Sequence, residues 1–107
     1  MIVRLWRGRA AATQATAYPA HFHATVLPEL RGIAGFLGAS LLRTSNAEGS
    51  DGGEGIEFLV MTRWESMDAI RVFAGDDAEH AVVEPGAVAA LVDFDVRVRH
   101  YEVVEEA

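Results

Sequence analysis

The side chains most able to carry chemistry in this sequence are its four histidines, its two tryptophans and an arginine near the start. His100 stands in DFDVRVRHYEVV, whose alternation predicts a strand over about residues 94–104. Val96, Val98 and His100 then share one face, and Arg97, Arg99, Tyr101 and Val103 the other. An imidazole among apolar neighbours is readily tuned to accept a proton near neutral pH, which makes His100 a candidate general base. Its plainer role is a neutral histidine bonded to backbone. In the opening IVRLWR, Ile2, Arg4 and Trp6 share a face, so Arg4 brings a fixed positive charge beside an aromatic ring. That charge can stabilise a phenolate or a carboxylate, or pair with one of the many acids. Ile56, Phe58, Val60, Thr62 and Trp64 face one way in IEFLVMTRW. Trp64, at a strand–helix junction, either walls a pocket for a planar ligand or fills the core. Arg63 has the opposite parity and is the weaker source of charge. His80 follows Asp76, Asp77 and Glu79 and either caps such a pocket or lies on the surface. His21 and His23 form an H-x-H pair. On a strand they could hold a metal, but on a helix residues two apart diverge by about 200°. The segment reads as helix, so no metal site is expected, and His23 projects toward a pocket mouth beside Phe22.

These residues need elements to hold them. A strand is predicted over 2–7, closed by Gly8. Residues 13–26 carry Ala15, Tyr18, Phe22 and Val26 at helical spacing, with Thr13 as N-cap and Pro19 forcing a start near Ala17 or a kink. Pro28 marks a break or a second short turn. A second strand follows over 36–43, apolar at nearly every position and so expected to be buried on both faces. The Gly-, Ser- and Asp-rich stretch 44–55 reads as a loop, and 56–64 as a third strand. Ser66 caps a helix over 67–73, with Gly75 after its last turn. Residues 78–83 add a turn, and Pro85 opens a short helix to about Leu91. Strand, helix, strand, strand, helix, strand is the α+β, ferredoxin-like split βαβ order around a four-stranded antiparallel sheet. Helices cover one face of such a sheet. The other still carries Leu5, Leu59, Met61, Tyr101 and Val103, so a two-fold homodimer packed sheet to sheet is expected.

The chain has 107 residues, half of them hydrophobic, and is expected to form one domain over 1–107. No run is long and apolar enough for a membrane span, and the opening lacks the pattern of a signal peptide. Sixteen acidic against nine basic residues give a net charge of −7, which disfavours nucleic acid as a partner. Cysteine is absent, which excludes disulfides and thiolate chemistry and fits a cytoplasmic protein. The acids Glu54, Glu57, Asp76, Asp77 and Glu79 read as a solvated face. Gly52-Gly53, in acidic surroundings, makes a poor phosphate cradle, and no nucleotide-binding or nucleophile-elbow motif occurs.

The element order, the opening IVRLWRG, the segment EFLVMTRWESMDAIRVFAG and the ending HYEVV together resemble the antibiotic biosynthesis monooxygenase-type proteins of the dimeric α/β barrel superfamily, over about residues 1–104. The resemblance implies a homodimer with a pocket in each subunit between sheet and helices. In some relatives that pocket holds an aromatic polyketide-like substrate, oxidised to a quinone by O2 without metal or flavin. In others it holds haem, which is degraded. Fold alone does not choose between these. On the first reading no cofactor is needed. His100 would ionise a phenol or hydroquinone, Trp6, Trp64 and Phe73 would hold the ring, and Arg4 or Arg63 would stabilise its charge. Haem degradation is the poorer match: the first-strand place holds Trp6 or Arg7 where that subgroup has Asn, and the helix place holds Phe73 where it has Trp. A binding dimer without catalysis is the remaining alternative.

Overall fold

The computed structural model describes residues 1–48 and 54–107. Strand β1 (Ile2–Ala11) leads through a 3-10 turn (Ala12–Gln14) into helix α1 (Ala17–His21), a π turn (Phe22–Val26) and helix α2 (Leu27–Arg31). Strand β2 (Phe36–Glu48), strand β3 (Glu54–Trp64), helix α3 (Met67–Ala74), helix α4 (Pro85–Ala90) and strands β4 (Asp93–Phe94) and β5 (Arg99–Glu102) complete the order. The sheet runs β2-β3-β1-β4, with β5 also on β1, and every pairing is antiparallel. This is the α+β, ferredoxin-like arrangement, with the expected fourth strand divided in two.

The division has a visible cause. Between β4 and β5 the chain leaves β1 and pairs instead with a strap formed by residues 78–84. The Ala81 amide donates to the Val96 carbonyl at 2.9 Å, and the Val98 amide to the Glu79 carbonyl at 2.8 Å. The turn expected over 78–83 is confined to its start, where the His80 amide donates to the Asp77 carbonyl at 3.0 Å, and no helix follows before Pro85. Arg97 ties the strap down through Asp77 (3.1 Å) and Glu79 (3.2 Å).

Other boundaries also move. Gly8 does not end β1; it sits mid-strand, paired with Phe58 and Phe94, because a Cβ there would come within 2.7 Å of Leu91. Thr13 caps nothing and lies in the 3-10 turn; the helix begins at Ala17, so Pro19 falls in its first turn, where a missing N–H does no harm. Pro28 does not break the helix. The preceding π turn, in which the Leu27 amide reaches back to the Phe22 carbonyl, carries the chain past it. Strands β2 and β3 extend well into the stretch read as a loop, whose centre, including Gly52 and Gly53, lies outside the described residues. Helix α3 follows expectation: Ser66 Oγ accepts from the Ala69 amide at 3.2 Å, and Gly75 leaves it at φ 88°.

All the helices pack on one face. Ile56, Phe58, Val60, Thr62 and Trp64 of β3 are buried beneath them, as their parity requires. Strand β2 is covered on one side only, and there only in part: Phe36, Ala39 and Leu41 pack against the core, whereas Leu37 is 51% and Leu42 43% exposed on the outer side. The core itself falls into two clusters. One gathers Tyr18, Phe22, Phe58, Val60 and Leu91; the other Leu30, Trp64, Ala69 and Ile70.

Candidate functional site

Between the two clusters lies a partly open cavity of about 50 Å³. Its apolar wall comes from Trp6 on β1, Val60 on β3, Val26 in the π turn, Leu30 on α2 and Phe73 on α3. Arg4 and Thr62 supply polar groups from the sheet, while Tyr18, His21 and Glu84 supply them from the helices and the strap.

Arg4 is 4% exposed. Its guanidinium donates to the carbonyls of Ala78 and His80 on the strap, the latter at 2.9 Å, and to His100 Nε2 at 2.8 Å. It also lies 5.7 Å from the centre of the Phe73 ring. Among the described residues no ion pair reaches it. Burial lowers its pKa to about 10, which leaves it cationic at neutral pH. The alternative of a salt bridge is thus not the arrangement found.

A guanidinium only donates, so His100 Nε2 must offer its lone pair to Arg4. Burial first, and then the Arg4 charge, hold the His100 pKa below its ordinary 6.5. His100 is not part of the cavity wall. Its expected place as a free base facing a guest is corrected by this geometry: it stands behind Arg4, and its basic nitrogen is occupied.

Trp6 and Phe73 are in the wall, and the Trp6 indole N–H is anchored on the Asp95 carbonyl at 2.8 Å. Trp64 is fully buried outside it. Its N–H donates to Thr62 Oγ1 at 2.8 Å, and its rings pack on Phe36 and Phe73. Phe22 is likewise a core residue, because the apolar stripe of its helix faces the sheet squarely. His23 is exposed, and so is His80, which contributes only its backbone carbonyl to Arg4. Arg63 points to the outer face and donates to Ser40 at 3.3 Å. His21 and His23 diverge as helical residues must, and among the described residues no three metal-binding side chains converge.

Tyr18, His21, Thr62 and Glu84 were not singled out as cavity residues by their sequence. The available signal was spacing: Tyr18 and His21 lie three apart, so His21 shares the edge of the stripe that buries Tyr18 and Phe22. Burial raises the Tyr18 phenol pKa well above its usual range. The Glu84 carboxyl is also raised, first by burial and then by a hydrogen bond with the Glu29 carboxyl.

No helix among the described residues is long and apolar enough to cross a membrane. No curated protein matches the chain at a significant level. A solved structure from Deinococcus radiodurans, described as a candidate antibiotic biosynthesis monooxygenase, superposes with a TM-score of 0.58 at 16% identity, covering 100% of this chain and 96% of that one. At that identity the likeness concerns the fold. The sequence itself goes further, for residues 1–85, which contribute most of the sheet and of the cavity wall, match the antibiotic biosynthesis monooxygenase family, and the chain belongs to that family.

Proposed function

We propose that this protein is a cofactor-independent monooxygenase acting on a phenolic or hydroquinone-like small molecule, as a cytoplasmic homodimer of one domain. The observation that carries the reading is Arg4, a buried cation in an apolar cavity with no ion pair among the described residues. Such a charge stabilises an anion far better than the same charge in water. A base on the wall takes the hydroxyl proton. The phenolate passes one electron to O2, and phenoxyl radical and superoxide couple to form a C–O bond at a ring carbon. The peroxide takes up the proton. Loss of the ring C–H proton then expels hydroxide and leaves a quinone carbonyl. One oxygen atom stays in the quinone and the other leaves, with both protons, as water. The chain has to bind, ionise and exclude bulk solvent. His100 serves as a positioning residue that fixes the guanidinium.

A cavity of about 50 Å³ is smaller than the ~150 Å³ that admits a benzene ring, so a guest enters only if the wall gives way. The same tightness favours the second reading, a binding dimer without turnover. Haem is the poorer match, because the His80 side chain is exposed and lies outside the cavity wall. For the dimer, the outer sheet face offers a groove of about 460 Å³ lined by Leu5, Leu59, Tyr101 and flanking arginines. A second copy of the same sheet would cover it.

Oxygen uptake by purified protein with a soluble naphthohydroquinone tests the enzymatic reading. A rate above buffer that falls roughly a hundredfold in Arg4→Met is expected. A rate equal to buffer, or one unaffected by the substitution, overturns it.

A further inference from the structure

The reaction above requires a base on the cavity wall, and the occupied Nε2 of His100 does not supply one. A second imidazole does face the cavity. His21 lines it, and its Nε2 is buried with no hydrogen-bond partner among the described residues. Buried polar atoms are nearly always paired, so an orphan on a cavity wall marks the place of a guest's polar group. The ring is held for this purpose. Tyr18 packs at 5.9 Å on one side, and on the other Gly86 gives it room, since a Cβ at position 86 would fall 2.5 Å from Nδ1.

We propose that His21 Nε2 binds the hydroxyl of a phenolic ligand and accepts its proton, while Arg4 takes the developing negative charge from the sheet side. The O–H bond breaks, an N–H bond forms, and the ligand remains as phenolate beside an imidazolium. The ligand class follows from the wall: a flat apolar body with an acidic hydroxyl and a second polar acceptor. The charged and titratable groups around His21 are Arg4 from β1, Tyr18 from its own helix, Glu84 from the strap, and Glu29 of α2 through its bond with Glu84. This inference rests on the reading of the cavity as a phenol site.

The test uses 4-nitrophenol, whose phenolate absorbs in the visible, titrated into the full-length protein across pH 5–9. In wild type the bound probe should ionise at lower pH than the free probe. His21→Leu should weaken binding at least tenfold and abolish that shift. His21→Gln, which keeps a hydrogen-bond acceptor, should bind within about threefold of wild type but without the shift. His21→Leu, which removes the orphaned polar atom, should melt at or above the wild-type temperature, and a cooperative melt of His21→Gln within a few degrees of wild type shows that it folds as well. If wild type binds the probe or consumes O2 and both variants match it in affinity and pH profile, the assignment to His21 is overturned while the function stands. If wild type neither binds nor turns over, both fall together.

Discussion

Arg4 and His100 show how a pair of side chains divides its labour. Only one of them can carry charge at 2.8 Å, and the guanidinium keeps it. The unfolded chain protonates His100 near its ordinary 6.5, whereas the folded chain resists until the pH is lower. Between those values the unfolded state binds more protons, so stability present above about 6.5 is lost as the pH falls through the folded value. Denaturant melts of wild type should therefore lose free energy on that acid limb, and His100→Gln should flatten it; identical slopes would contradict the geometry. That Arg4 and Trp6 belong to one cavity was legible in strand parity alone, because a period of two leaves no choice once a face is assigned. His21 was not legible. An H-x-H pair draws attention as a metal motif, and only the helix direction shows that one member turns inward while the other meets water.

Among the elements, α3 is the one whose local code is complete. Its cap, its Asp68–Arg71 pair at 3.0 Å and its terminal glycine are all written within ten residues, which is why its limits could be read directly. Ser66→Ala should cost about 1 kcal/mol in a urea melt, and a change under a few tenths would mean that packing alone sets the helix start. The last strand is the opposite case. Its alternation predicts a continuous ladder, yet the strap competes for the Val96 carbonyl and the Val98 amide, and that competition is tertiary. The helical stretch from 17 to 31 was legible at its start and not at Pro28. Pro19 pointed to a start near Ala17, which is where the helix begins, but Pro28 read as a break or a second turn, and the π turn accommodates it.

At the scale of the whole molecule, the helices leave one broad sheet face bare. The register sets Met61 between Leu5 and Ser40 at its middle. If a second copy covers that face, wild type should sediment at twice its 11.6 kDa mass, and Met61→Glu should sediment as a single subunit with its fold retained. A lone wild-type subunit at micromolar concentration would remove the dimer. The divided core has its own consequence. Val26 and Ala39 pack against both clusters, and few other apolar side chains join them, so the two halves have grounds to open independently. A molecule lodged in the seam would lean on both at once. It would act as the missing keystone, turning two loosely linked folding units into one cooperative body whose amides on either side exchange with solvent together.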